Sequence, residues 1–521
     1  MLASYKYHVR RIAWIFAASG LLVYVMFQLS SDGVIDSEAR RKSVGGPFDE
    51  QPFREIIVHL DLKGAPPIVP VYEWLFPLLK SLGVKGVLME YEDMFPYSGE
   101  LAKVSRASHY NRSDINEINR IASANNLEII PLVQTFGHME FILKYSHFAH
   151  LRENPLADDT ICPSDARSID LIRNVIDQVR ALHPKSDRIH IGADEAYHIA
   201  EDDRCRNRLS QFGEADGKRA VEKLKLTHIA KVARLARASG FKEVFAWNDM
   251  FDKSLVEDIR EAGLGDLITP VVWGYKVDVT AEGYFPANLF KRLSRVFSKL
   301  YFASAFKGAL TKDEKYITTD RYLRNHMSYV KLYRENKEDL DGRVGGIIVT
   351  GWQRYMHHAP LCELLMISIP SLVSDLVYLD NVTRDRNEMW KRTREVLHCP
   401  QQMDPTLLPV IFGSQPYLPH KDAFLKVCDF KGHELFKLIM EDLHVLEWKV
   451  ERFKFWRNMT SPLNTEIDEL ALKLTKELEK YYFAEDIAEF LRTKVLSQKE
   501  KLARRELDDQ SEVSVQMGHH S

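Results

Sequence analysis

The chain has 521 residues, 45% of them hydrophobic and 28% charged, which excludes disordered and fibrous classes and allows one large domain plus a smaller unit. A formal charge of −3 and an isoelectric point near 6.7 provide no basic face for phosphates, so no nucleic-acid partner is expected.

Residues 1–11 carry Lys6, Arg10 and Arg11, and Ile12–Leu29 follow without a charged residue before Asp32, Asp36 and Glu38. The length approaches that of a membrane-crossing helix, and the positive N-terminal flank predicts a cytosolic tail, a signal anchor and a luminal remainder. This reading makes the chain a single-pass type II membrane protein of the secretory pathway, with the Golgi as the expected compartment. The alternative is a cleaved signal peptide and a secreted or lysosomal product. Sequons at Asn111, Asn381 and Asn458 suit a luminal glycoprotein. Five cysteines suit an oxidising compartment and leave at least one thiol unpaired.

Residues 30–53 are polar and Gly-containing and read as a stem. From residue 54, short apolar runs alternate with helix-period segments. The runs are Ile56–Leu62, Val84–Glu90, Glu128–Thr135, Arg188–Gly192, Glu243–Trp247, Ile268–Trp273, Leu300–Ser304 and Gly346–Thr350. Helical patterns cover Val71–Leu82, Ser113–Asn125, Ala166–Leu182, Ala220–Ser239, Arg321–Glu338 and Pro360–Leu379. Eight such alternations predict an α/β fold, a closed (β/α)8 TIM barrel over residues 54–380. An open doubly wound sheet is the alternative, although no Gly-rich dinucleotide fingerprint follows the first strand. A Pro-interrupted connecting segment occupies 381–430, and helical spacing over 431–500 predicts a C-terminal helical extension that packs on the barrel or pairs two copies as a homodimer. Residues 501–521 read as a disordered tail.

In a parallel barrel the polar clusters ending each run converge at the C-terminal face. They are His59 and Asp61; Glu90 to Asp93; Gln134 and His138; His190, Asp194 and Glu195; Trp247, Asn248 and Asp249; Trp273 and Tyr275; Ser304 and Lys307; Trp352 to Tyr355. The adjacent carboxylates Asp194 and Glu195 are the catalytic candidates. They can share one pocket only if the strand ends or bends there, because strand neighbours point to opposite faces. Trp247, Trp273 and Trp352 at strand ends suit the walls of a sugar pocket. His59, His138 and His190 with Asp61 and Asp194 leave a zinc-dependent barrel hydrolase open as an alternative.

Seven segments together carry a family resemblance: His59–Pro67, Glu90–Tyr97, Gln134–His138, His190–Glu195, Trp247–Met250, Ala303–Ala309 and Thr350–Trp352. On them the chain resembles the hexosaminidase D branch of glycoside hydrolase family 20. It departs from the lysosomal relatives in carrying Ala193 where they usually have Gly, and Trp352-Gln353-Arg354 where they end the last strand with Trp-x-Glu. The resemblance implies an exo-acting β-N-acetylhexosaminidase that removes terminal N-acetylgalactosamine or N-acetylglucosamine from glycans with retention, the 2-acetamido group serving as nucleophile. It implies Glu195 as general acid and base and Asp194 as the residue that orients the acetamido group. The expected substrate-binding set is His59, Asp61, Glu90, His138, His190, Trp247, Asp249, Trp273, Tyr275, Trp352 and Arg354, with no metal and no cofactor. Glu195 is expected to hold a raised pKa and Asp194 to stay ionised. A barrel that binds carbohydrate without turning it over remains the other class of answer.

Overall fold

The computed structural model describes residues 51–400, 425–452 and 460–518. The expected anchor at Ile12–Leu29, the tail before it, residues 30–50 of the stem, residues 401–424 of the connecting segment and the sequon at Asn458 lie outside them. Among the described residues no helix is long and apolar enough to cross a membrane.

The described residues form ten strands: β1 (Glu55–Asp61), β2 (Gly86–Glu90), β3 (Glu128–Leu132), β4 (Arg152–Asn154), β5 (Ala157–Ile161), β6 (Arg188–His190), β7 (Glu243–Trp247), β8 (Thr269–Trp273), β9 (Leu300–Lys307) and β10 (Val344–Gly351). Eight close into a parallel barrel in the order β1-β10-β9-β8-β7-β6-β3-β2, each coinciding with one of the expected apolar runs. The remaining two, β4 and β5, form an antiparallel hairpin inserted after β3, which the sequence pattern did not reveal.

Strand periodicity explains the closed form. Ile57, Leu88, Ile130, Leu132, Phe245, Val271, Tyr301 and Ile348 fill the barrel interior. Their neighbours Ile56, Val58, Val87, Ile129, Val244, Val272, Phe302 and Ile347 pack outward against the helices. Both faces are therefore apolar, as a parallel sheet covered by helices requires.

The covering helices include α1 (Val69–Ser81), α2 (Arg112–Ala124), α3 (Ala166–Leu182), α4 (Asp203–Leu209), α5 (Gly217–Ala238), α6 (Thr319–Glu335) and α7 (Ile369–Asp380). Local chemistry starts several of them. Asn111 and Asp114 close a capping box on α2, and Asp165 and Asp216 accept backbone N–H groups at the starts of α3 and α5. The last of these helices begins later than the expected Pro360, because residues 353–362 form a loop over the barrel mouth and Pro370 sits in the first turn of α7.

Beyond the barrel lie α8 (Arg386–Val396), α9 (Thr460–Leu478), α10 (Ala484–Phe490) and α11 (Ser497–Gly518). Leu463, Ile467, Leu470, Leu474 and Leu478 are buried within the same chain, so the apolar face of α9 is covered without a second copy. The tail from residue 501, expected to be disordered, continues α11 to Gly518. Cys399 and Cys428 form a disulfide, whereas Cys162, Cys205 and Cys362 are buried free thiols. Asn111 and Asn381 of the sequons are exposed.

At the N-terminal end of the barrel, Arg188 at the start of β6 pairs with Glu55 of β1 and with Glu128 of β3, the latter at 2.7 Å, and Tyr301 donates to Glu55. Removing the guanidinium would strand two partly buried carboxylates. Arg188→Met is expected to cost about 2–3 kcal/mol, below the figure for a fully buried pair because the partners are partly hydrated. Urea unfolding at neutral pH checks the loss, and the activity of the folded fraction should not change because the pocket lies at the opposite end.

Candidate active site

Strand β6 ends at His190, and the next residues leave the strand through a left-handed turn: Gly192, Ala193 and Glu195 have φ of 60°, 67° and 46°. This break allows the side chains of Asp194 and Glu195 to reach the same cavity, and both line it. Each non-glycine residue held in this region costs about 1–2 kcal/mol, so the surroundings must hold the turn. Thr135 Oγ1 donates to the Ile191 carbonyl at 2.6 Å, and the Gly192 N–H donates to His190 Nδ1 at 2.9 Å. The Glu195 N–H donates to Asp249 Oδ2 at 2.9 Å, and the Trp247 N–H to the Gly192 carbonyl at 3.0 Å.

Two glycines make room for the turn. A Cβ on Gly192 would fall 1.9 Å from Gln134 Oε1. One on Gly137 would fall 2.1 Å from the Asp194 carbonyl oxygen.

The cavity lies at the C-terminal ends of the strands, has a volume of about 130 Å³ and opens to solvent. Lys63, Glu90, Gln134, His138, Asp194, Glu195, Trp247, Trp273, Tyr275, Gly308, Ala309, Trp352, Arg354 and Tyr355 line it. Trp273 and Tyr275 stack with centroids 5.3 Å apart, and Trp247 and Trp352 meet at 5.9 Å, giving aromatic walls. Gln134 Oε1, Asp194 Oδ1 and Trp247 Nε1 are buried there without a protein partner. Buried polar atoms usually have a partner in protein or water, so these three are free to bond to whatever enters the cavity.

Four expected binding residues do not line the cavity. His59 stands behind Trp352 and lies 3.0 Å from Glu90. Asp61 accepts from the backbone of Lys63, Gln353 and Arg354, fixing the turns after β1 and β10. His190 is buried against Trp247. Asp249 uses one oxygen on the Glu195 N–H and the other on Trp273 Nε1. They therefore brace the wall rather than form it.

Among the described residues, His59, His138 and His190 do not gather into a metal-ligating group. The grouping with suitable spacing is Glu153, Cys162 and Cys205, buried beside α4. Lys63, Gln134, Gly308, Ala309 and Tyr355 line the cavity but are absent from the expected binding set, although Gln134 and Tyr355 belong to the polar clusters at the strand ends. Lys63 and its buried partners Asp61 and Glu90 belong to the segments quoted for the resemblance, so its charge between them was the available signal.

The electrostatics reverse the expected order of the two carboxyls. Asp194 is largely buried, and that burial, reinforced by Asp249, Glu195 and Glu90, pushes its pKa up to about 8 against the opposing pull of His138. Burial also acts on Glu195, but His138 Nε2 at 3.1 Å and the hydroxyl of Tyr197 donate to its carboxylate and hold its pKa below the ordinary value. His138 would be lowered by burial, yet the nearby Asp194, Glu195 and Glu140 push it up to about 10. Glu90 is buried as well, and Lys63 and His59 outweigh that burial and hold it well below the usual carboxylate range. These surroundings therefore favour the proton on Asp194 and the charge on Glu195.

Two outcomes follow. Gly137→Ala places a methyl group against backbone that cannot yield, and should lose about 1–3 kcal/mol of stability together with most activity; denaturant midpoints and initial rates measure both. A carboxyl whose folded pKa is raised binds its proton more tightly in the folded state, so stability falls as pH rises from about 4 toward 8. Asp194→Asn should remove that slope, matching the parent near pH 4 and melting above it near pH 8, as thermal midpoints across pH would record.

The profile for the catalytic domain of glycosyl hydrolase family 20 matches residues 76–366. The chain is 42% identical to human Hexosaminidase D over 330 residues, 63% of this chain and 66% of that protein. It is 42% identical to bovine Hexosaminidase D over 319 residues, 61% of this chain and 89% of that one. An exo β-N-acetylglucosaminidase of Vibrio harveyi, solved with N-acetylglucosamine, aligns over 65% of this chain and 56% of its own with 15% identity and a TM-score of 0.48. With the profile covering more than half of the chain and a relative 42% identical over 89% of its own length, the chain belongs to glycosyl hydrolase family 20.

Proposed function

We propose that the protein is an exo-acting β-N-acetylhexosaminidase that releases terminal N-acetylgalactosamine or N-acetylglucosamine from glycans with retention of configuration. The observation that carries this reading is the pair Asp194 and Glu195 in one aromatic-walled pocket, held in different environments: Asp194 enclosed with one oxygen unpartnered, Glu195 nearer solvent. Membership of the family and its Hexosaminidase D relatives support it.

In the proposed reaction the sugar ring packs on Trp273, Tyr275 and Trp352. Its acetamido N–H donates to Asp194, and its acetamido oxygen attacks the anomeric carbon as the glycosidic bond breaks. Glu195 gives a proton to the leaving oxygen. Water, deprotonated by the same carboxylate, then opens the bicyclic oxazolinium ion, and the two inversions sum to retention.

For this, Glu195 must be protonated and Asp194 ionised, the reverse of what their surroundings in the protein favour. His138 Nε2 lies 3.6 Å from Asp194 and 3.1 Å from Glu195 and can pass one proton between them. Sugar binding supplies the driving force, since an acetamido N–H facing Asp194 favours its carboxylate and a dry aromatic pocket disfavours an ionised Glu195.

We also propose luminal placement behind an N-terminal membrane anchor. The uncharged stretch Ile12–Leu29, the exposed sequons at Asn111 and Asn381, and the Cys399–Cys428 disulfide support it.

Assaying Glu195→Gln beside the parent on an aryl N-acetyl-β-hexosaminide tests the catalytic reading. The variant should lose roughly 10²–10⁴-fold in kcat, the contribution of a positioned acid and base, while sugar binding is retained. Equal rates would overturn the role of Glu195. A parent without turnover would favour a sugar-binding barrel.

A further inference from the structure

Arg354 lines the cavity, and its guanidinium is held from outside the barrel. The turn that carries it is pinned by Asp61, which accepts the Gln353 N–H at 2.8 Å. Its Nη1 donates to the Ala359 carbonyl, and its Nη2 donates to Glu489 Oε2 at 2.5 Å. The guanidinium lies directly on Gly64, where a Cβ would fall 2.1 Å from Nη2. Its side chain is 10% exposed and lines the cavity, whereas Glu489 is outside the lining.

Glu489 sits on α10, 123 residues past the end of the matched catalytic segment at 366. That helix is docked, not dangling. Ile487 and Phe490 are buried, and Arg106 pairs with Asp486 at 2.6 Å and with Glu485 at 3.2 Å. Just before it, the Tyr481 carbonyl accepts the Ile68 N–H at 2.8 Å, and the Tyr482 hydroxyl accepts the Met366 N–H at 3.2 Å. Beyond it, Lys494 donates to the Asp313 carbonyl at 2.9 Å. Residues 481–494 thus hold the segments that follow β1, β2, β9 and β10, all at the barrel's active end.

We propose that Glu489 is a positioning residue for substrate recognition and that α10 belongs functionally to the sugar site. Glu489 supplies an outward counter-charge that keeps Arg354 laid over Gly64, with its remaining N–H groups turned to the hydroxyls of the bound sugar. The need for it is electrostatic. The cavity holds the carboxylate of Glu195, the more solvent-facing of its acidic groups, and a guanidinium without an outer carboxylate would be drawn toward it and occupy the space the sugar requires. A planar fork held at two points is pre-organised and loses little freedom on binding, which a free arginine would not match.

This inference rests on the reading of the cavity as an N-acetylhexosamine site. Its test is a double-mutant cycle in the full chain with Glu489→Ala, Glu489→Gln, Arg354→Ala and the Glu489→Ala/Arg354→Ala pair, assayed on an aryl N-acetyl-β-hexosaminide. Glu489→Ala should raise KM about tenfold, the worth of one charge-assisted contact, and leave kcat within about threefold. Glu489→Gln, which keeps a hydrogen-bond acceptor, should restore part of the affinity. The double variant should bind no worse than Arg354→Ala alone, because Glu489 acts only through Arg354. An unchanged KM in Glu489→Ala, or penalties that add in the double variant, would overturn the proposal. Should the alanine variant fail to fold, an unchanged KM in Glu489→Gln would overturn it and an intermediate rise would support it. If the parent shows no turnover, the catalytic reading fails separately. The same cycle is then read by calorimetric binding of free N-acetylglucosamine and N-acetylgalactosamine, where equal affinity of parent and Glu489→Ala overturns the positioning role.

Discussion

The left-handed turn at Gly192–Glu195 is the constraint on which the site depends. A regular strand would send one of two adjacent carboxylates into the pocket and the other out among the helices. By ending β6 at His190 and reversing φ, the chain delivers both to one cavity. Ala193 adopts φ of 67° without the freedom of glycine, so the turn is held by its neighbours rather than by its own preference. Those neighbours come from β3 and β7, through Thr135, Gly137, Trp247 and Asp249. The barrel matters to the chemistry because it brings these flanking strands to a residue that could not hold its conformation alone.

The same enclosure sorts the carboxyls. Glu90 is as buried as Asp194 yet remains ionised, because Lys63 and His59 lie beside it. Asp194 shares a single imidazole with Glu195 and loses the competition for charge to the more exposed residue with two donors. Placing the proton on Asp194 makes substrate binding and proton placement one event in the proposed mechanism. A sugar that cannot present an acetamido N–H would leave Glu195 ionised and without a proton to give.

Much of this was legible in the sequence. Eight apolar runs with helical intervals marked the barrel, and polar residues at their ends marked its working face. Which member of each terminal cluster faces the cavity was not legible. In Trp247-Asn248-Asp249 the Trp lines the cavity and the Asp turns behind it to brace Glu195. At β1 it is Lys63, two residues past the strand, that reaches the lining while Asp61 ties the turns together. Side-chain direction past a strand end follows the turn, and periodicity stops where the turn begins. The β4–β5 hairpin escaped notice because its strands are short and polar, as in Arg152-Glu153-Asn154. The charge order failed for a different reason: the expected order came from the catalytic roles, with Glu195 raised and Asp194 ionised, whereas burial of Asp194 and the donors around Glu195, which the chain order does not show, favour the opposite.

The C-terminal helices add a boundary that sequence similarity to the catalytic domain does not draw. The buried leucines of α9 pack it among the C-terminal helices themselves, and Tyr481, Tyr482 and Glu489 tie that layer to the segments around the barrel mouth. The central claim is narrower: Asp194 and Glu195 act on a nucleophile that the sugar itself supplies. The most direct measurement is kcat/KM on aryl N-acyl-β-glucosaminides whose acetyl group carries zero to three fluorines, each substitution draining electrons from the carbonyl oxygen. A steep fall across the series is the predicted result, and a flat series would contradict the account.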